Sequence, residues 1–171
     1  MTEFYRGEDM KSTTQIYYGK GKGKTSCAVG ICLREAGNGK SVIIVQFLKG
    51  KDCTELEFMR RLEPEINLFR FEKHNGDYCN LPDTEKEEEI MNIKNGLNYV
   101  RKVLTTGQSD VLVVDEFLGL IDCGIISLDE ARKLILEKNE DMELILTGTN
   151  LPDGLADLAD DIYAIDVVKE S

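Results

Sequence analysis

The sequence is short of several things that whole classes of function require. It has one histidine, His74. One imidazole cannot build a histidine-rich metal site, and His74 reads as a loop residue rather than a ligand. The five cysteines (Cys27, Cys32, Cys53, Cys79 and Cys123) lack zinc-ligand spacing. Their odd number suits reduced thiols in a cytoplasmic protein better than a disulfide framework. No apolar run is long enough to span a bilayer. Met1–Arg6 lacks the apolar core of a signal peptide. The expectation is therefore a cytoplasmic protein without a membrane partner. Cations are in deficit, with 21 Lys and Arg against 32 Asp and Glu, a net charge of −11. That balance excludes general nucleic-acid binding, which needs cations facing phosphate.

What is present is one domain's worth of chain. At 171 residues the expectation is a short arm over 1–13 and a single domain over 14–171. Apolar runs bounded by turn residues occur at 13–18, 41–46, 66–71, 111–115, 143–147 and 161–165. Such runs suit strands buried on both faces of a parallel sheet. Helical patterns lie between them at 27–36, 54–62, 84–105, 128–136 and 155–158. In the longest, Ile90, Ile93, Leu97, Val100 and Leu104 share one face. Asp83 or Thr84, with Glu87 or Glu88 following, predicts its N-cap. The alternation predicts a doubly wound α/β fold, in which ligands bind beyond the C-terminal ends of the strands.

In such a fold the end of the first strand is the most informative stretch. Gly19-Lys20-Gly21-Lys22-Gly23-Lys24-Thr25-Ser26 joins a strand to a helix. Glycines let the backbone turn tightly and aim N–H groups at an anion, and the helix N-terminus adds positive potential. Lysine supplies a point charge, and the threonine hydroxyl can ligate Mg²⁺. The loop departs from the usual phosphate-loop pattern. Counted from Gly19 it is one residue short, and Tyr18 stands where a glycine is normally required.

Other strand ends add candidates. Val111–Val114 run into the paired carboxylates Asp115 and Glu116, a pattern that places an acid beside phosphate-bound Mg²⁺. Glu116 could also serve as a base toward water. Gln46-Phe47-Leu48-Lys49-Gly50-Lys51 follows the second strand. Thr147-Gly148-Thr149-Asn150 follows the fifth, where a simple turn and a ligand contact are equally compatible with the residues.

Taken together, the loop, Arg34-Glu35-Ala36-Gly37-Asn38-Gly39-Lys40, Val45–Gly50, Val113–Glu116, Leu146–Gly148 and Leu158-Ala159-Asp160 resemble the ATP:corrinoid adenosyltransferases of the phosphate-loop type. The resemblance covers roughly 14–165 of the sequence. It implies a single-domain P-loop NTPase-like fold, a mainly parallel sheet flanked by helices, and a homodimer. It implies transfer of the 5′-deoxyadenosyl group of ATP to the cobalt(I) of a corrinoid, with release of triphosphate and a flavoprotein as reductant. The corrinoid would be cob(I)alamin or a precursor such as cobyrinic acid diamide. By resemblance, Gly19, Lys20, Gly21, Lys22, Gly23, Lys24, Thr25 and Ser26 bind the triphosphate, with Lys24 as its main cation. Thr25, Asp115 and Glu116 hold Mg²⁺, directly or through water. Lys24 and Glu116 are the candidate catalytic residues, and Gln46, Lys49 and Glu55 match positions near the nucleotide or corrinoid.

The sequence also departs from the family. The family's Thr-Gly-aromatic-x-Trp segment is replaced by Glu72-Lys73-His74-Asn75-Gly76-Asp77-Tyr78-Cys79, and the chain has no tryptophan at all, leaving Tyr78 as the candidate substitute. The family's Thr-Gly-Arg is Thr147-Gly148-Thr149 here. Two alternatives stand beside adenosyl transfer: a phosphate-loop ATPase or kinase, and a non-catalytic ATP or corrinoid sensor.

Overall fold

The structure is a computed structural model, and it describes residues 12–50 and 57–169. Six strands form one sheet: β1 (Thr14–Tyr18), β2 (Val42–Gln46), β3 (Ile66–Arg70), β4 (Val111–Asp115), β5 (Glu143–Gly148) and β6 (Asp161–Ala164). Their order is β3-β2-β4-β5-β1-β6, and every pairing is parallel. Among the described residues four α-helices accompany them: α1 (Lys24–Gly37), α2 (Asp83–Thr106), α3 (Phe117–Asp122) and α4 (Leu128–Leu136).

The unbroken apolar runs of β2, β4 and β5 follow from burial on both faces, whereas β6, expected to be buried in the same way, is an edge strand exposed along its length. Successive side chains point to opposite sides of a sheet. Ile43 and Val45, Leu112 and Val114, and Leu144 and Leu146 therefore face one core, which α2, α3 and α4 cover. Val42 and Ile44, Val111 and Val113, and Ile145 face the other, covered by Ala28 and Cys32 of α1. An alternating polar pattern would have exposed one face to water.

Parallel register places the functional strand ends side by side. Gln46 is level with Asp115 across β2 and β4, and Tyr17 is level with Thr147 across β1 and β5. Val114 pairs with Leu146, so Asp115 and Thr147 emerge on adjacent strands. β5 thus lies between the strand that carries the glycine loop and the strand that carries the acidic pair.

Some local expectations need correction. The N-cap of α2 is Pro82, not Asp83 or Thr84, and no side chain caps this end. The Pro82 carbonyl accepts from the N–H groups of Glu85 and Lys86, so the first turn closes one residue earlier than expected. Of the helix expected over 54–62, the described part is a 3-10 turn, Glu57–Leu62, and residues 54–56 lie outside the described residues. The helix expected at 155–158 is also only a 3-10 turn, Ala156–Leu158. Helix α3 has no counterpart among the expected helices. Its six residues are too few to show a helical period. Among the described residues no helix is long and apolar enough to cross a membrane.

Candidate active site

The glycine loop is shaped by two neighbouring segments of backbone. The Gly19 N–H donates to the Thr149 carbonyl at 3.0 Å, and the Gly21 N–H donates to the Ile165 carbonyl at 3.1 Å. Ile165 in turn donates its N–H to the Tyr18 carbonyl at 2.7 Å. The approach is so close that a Cβ on Gly19 would lie 2.2 Å from the Ile165 oxygen, at a backbone φ of +128°. On Gly21 it would lie 2.9 Å away. The glycines at 19 and 21 are therefore dictated by the chain leaving β6. Gly23 is required for a different reason. It is the N-cap of α1 at φ 116°, in the left-handed region that glycine adopts without strain.

The first turn of α1 contains no acidic residue, so the helix's own side chains leave the positive end of its dipole uncompensated. An open cavity of about 620 Å³ lies against it. Lys20, Gly21, Lys22, Gly23, Lys24, Thr25 and Ser26 line one side, Lys49 and Glu116 another. The cavity continues along α1 over Val29, Gly30 and Leu33. The Lys24 ammonium donates to the carbonyls of Gly19 at 2.7 Å and Gly21 at 3.0 Å, which holds it over the loop.

Beneath the cavity floor is a closed polar network centred on Asp115, which is fully buried. Its Oδ1 accepts from the hydroxyls of Thr25 at 2.9 Å and Thr147 at 2.7 Å. Its Oδ2 accepts from the Gln46 amide at 2.8 Å. Thr147 completes the circuit by accepting the Glu116 backbone N–H at 2.9 Å. A buried carboxylate without partners would be strongly unfavourable; three donors make this one tenable and fix its orientation.

The acidic pair therefore divides its labour. Asp115 points inward and positions Thr25, whereas Glu116 lines the cavity. Glu116 sits at φ 60°, a strained conformation for a non-glycine residue that the Thr147 bond helps to hold. Burial, then the neighbouring Asp115, push its carboxyl above the usual carboxylate range, opposed by Lys49 and Lys24. The Lys49 ammonium is 3.7 Å from Glu116 Oε1.

The segment after β2 also divides its work residue by residue. Gln46 is buried and holds Asp115. Phe47 is a core residue stacked on Phe71, with centroids 6.0 Å apart. Leu48, at φ 57°, passes so near Gly119 that a Cβ there would lie 2.9 Å from Leu48 Cδ1. Of these four residues, only Lys49 reaches the cavity.

Most of the expected site residues are thus brought together. Lys20 to Ser26, Lys49 and Glu116 share the cavity, while Gly19, Gln46 and Asp115 stand behind its wall. Glu55 lies outside the described residues. Thr147, whose strand end was left open between a simple turn and a ligand contact, joins the site through Asp115 and the Glu116 N–H. His74 is a loop residue, its Nδ1 3.1 Å from Glu89 Oε2.

Comparison with known proteins gives this geometry a family. Residues 10–171 match the family described as ATP:corrinoid adenosyltransferase BtuR/CobO/CobP. A corrinoid adenosyltransferase of Pseudomonas aeruginosa is 25% identical over 97% of this chain and 80% of its own length. One from Escherichia coli K12 is 26% identical over 97% of this chain and 82% of its own. An uncharacterized protein from Nostoc sp. is 27% identical over 91% of this chain, which spans 44% of that protein's length. A solved KaiC-like protein from Pyrococcus horikoshii shares the fold, with a TM-score of 0.61 and 19% identity over 94% of this chain and 75% of its own. On the match over 10–171, the chain belongs to the ATP:corrinoid adenosyltransferase family.

Proposed function

We propose that the protein transfers the 5′-deoxyadenosyl group of ATP to the cobalt(I) of a reduced corrinoid and releases triphosphate. The observation that carries this reading is the lysine-rich cavity over the N-terminus of α1, backed by the Thr25–Asp115–Thr147 network, in a chain of this family. Cobalt(I) is itself a strong nucleophile, so the attack at C5′ calls for no general base. What the protein must do is orient ATP and stabilise charge on the leaving triphosphate.

The residues present suit that role. Lys20, Lys22 and Lys24 bring three cations to one wall of the cavity, and backbone N–H groups at the start of α1 face the same space. Binding of triphosphate draws the Lys24 ammonium from the loop carbonyls onto phosphate oxygens. Mg²⁺ fits the hard oxygen donors offered by Thr25 and Glu116, with Asp115 holding the Thr25 hydroxyl in place. Among the described residues no cluster of three His, Cys, Asp or Glu could hold a metal. That suits an ion that arrives with phosphate and is held by few protein groups. When bound, it supplies positive charge to the leaving triphosphate. The tie between Glu116 and Lys49 favours a positioning role for Glu116 over that of a base toward water. A homodimer and a flavoprotein reductant complete the proposal.

The test incubates the protein with MgATP and chemically reduced corrinoid, following the corrinoid spectrum and the phosphate products. A cobalt–carbon bond formed together with triphosphate is expected. ADP and phosphate without a new corrinoid species would make the protein an ATPase. Binding without turnover would make it a sensor. Lys24→Ala is expected to abolish turnover, and near-normal activity in that variant would remove the phosphate-loop assignment.

A further inference from the structure

Cys79 and Cys123 are distant in sequence, yet their Sγ atoms lie 3.9 Å apart. Cys79 belongs to a 3-10 turn, Tyr78–Asn80, in the segment between β3 and α2, and is exposed. Cys123 is the C-cap of α3 and partly buried. Neither thiol takes part in the site described above.

Both sides of the pair are held by formed structure. The Asp77 carboxylate accepts the Cys79 N–H at 3.1 Å, and the Asp77 carbonyl accepts the Asn80 N–H at 3.0 Å. Further back, buried Glu89 of α2 accepts the backbone N–H groups of Lys73 at 2.9 Å and His74 at 3.2 Å. On the other side, the Cys123 N–H donates to the Gly119 carbonyl at 2.9 Å, so its place is set by the helix that starts beside Glu116. The thiols therefore meet because two anchored elements bring them together. Disulfide geometry demands such proximity and does not tolerate large backbone movement.

We propose that Cys79 and Cys123 form a thiol–disulfide switch that clasps the segment 72–81 to α3, with a low-molecular-weight disulfide as oxidant. The exposed Cys79 thiolate attacks one sulfur of that disulfide, forming a mixed disulfide and expelling one small thiolate. The Cys123 thiolate then attacks Cys79 Sγ and expels the second. Two electrons pass to the small disulfide, and the two thiol protons leave with the two small thiols. Burial, then the neighbouring Cys79, push the Cys123 thiol up to about 11, so the exposed Cys79 is the thiol that meets the small disulfide first. The clasp has a place to act. Glu72, His74, Gly76 and Tyr78 of this segment border Lys49 and Gly50 at a small cavity. The switch needs no assumption about the substrate and stands or falls independently of adenosyl transfer.

The test uses the full chain treated with oxidised glutathione and analysed by intact mass, peptide mapping and hydrogen exchange. A transient glutathionyl adduct is expected, followed by a product lighter than the starting protein by two hydrogens. Mapping should yield one cross-linked species joining Cys79 to Cys123, reversed by dithiothreitol. Amides of 76–81 should exchange at least about tenfold more slowly in the oxidised form. Its thermal midpoint should rise by roughly 5–10 °C. Cys123→Ser should stop at a stable adduct on Cys79. The proposal is overturned if wild type stops at that adduct too, if the bridge joins Cys27 or Cys53 instead, or if the bridge forms and exchange over 76–81 is unchanged.

Discussion

Replacing Thr147 by Val changes almost nothing in shape and removes one oxygen from the centre of the site. That oxygen donates to Asp115 at 2.7 Å and accepts the Glu116 N–H at 2.9 Å, at a residue with no solvent exposure. Losing a hydrogen bond to a buried carboxylate weakens the fold by about 1.5–3 kcal/mol. The orphaned Glu116 N–H adds about 1–3 kcal/mol, and the new methyl returns about 0.8 kcal/mol. The two losses share one atom and do not add fully, so the expected destabilisation is about 2–4 kcal/mol. Urea unfolding monitored by circular dichroism measures it, and the thermal midpoint should fall by roughly 5–12 °C. Affinity for MgATP, measured by calorimetry, should drop as well, because Thr25 and Glu116 lose the partner that ties them together through Asp115. Thr147→Ser keeps the hydroxyl and should recover most of both quantities, short of about 1 kcal/mol for the lost methyl. If Thr147→Val unfolds within about 0.5 kcal/mol of wild type, the spread of neutral changes, and binds MgATP equally well, the network does not organise the site.

Three further outcomes follow from particular contacts. Gly19→Ala should weaken MgATP binding at least about thirtyfold by calorimetry, roughly 2 kcal/mol, because its Cβ meets the Ile165 oxygen at 2.2 Å and φ is +128°; unchanged affinity would show the loop to be loosely specified. Gly96→Ala lies inside α2, where alanine ordinarily gains about 1 kcal/mol, but its Cβ would lie 2.6 Å from both Phe47 and Phe71. Denaturant unfolding should show a net loss of about 1–2 kcal/mol, and a net gain would mean the aromatic pair yields easily. Burial, then Glu35, push the Glu143 carboxyl above its usual value of 4.5. A raised folded-state pKa gives stability that is full below the unfolded value and is lost as pH rises through the folded one. Glu143→Gln keeps an oxygen for Gln15 and should be more stable than wild type at pH 7, with a flatter stability profile above pH 4.5. A variant less stable than wild type at every pH would refute that account.

The central strands β2, β4 and β5 were legible because burial on both sheet faces writes itself as an unbroken apolar run, as in Val111–Val114. Where elements are short, that signal fails. The six residues of α3 and the 3-10 turns at 57–62 and 156–158 carry no resolvable period. The cap of α2 is misleading in sequence because Asp83 has a capping side chain, yet Pro82 supplies the carbonyl that closes the turn.

The loop, its lysines and the acidic pair were visible in sequence because each is a local pattern: glycines where the backbone must turn, cations clustered at the start of a helix, acids after an apolar strand. The division of roles among them was not. Asp115 and Glu116 are adjacent in the chain, and only the network under the cavity turns one inward to hold Thr25 and leaves the other lining the cavity. The end of β5 was left open between a simple turn and a ligand contact, because what makes Thr147 central is β5 running between β1 and β4, a matter of strand order that no local pattern encodes. The glycines at 19 and 21 could be read as freedom to turn. Only the fold shows that Ile165, far along the chain, leaves no room there for a side chain. Local chemistry was set by residue type and spacing, whereas orientation was set by parallel register and close backbone contact, which arise only when distant segments pack together.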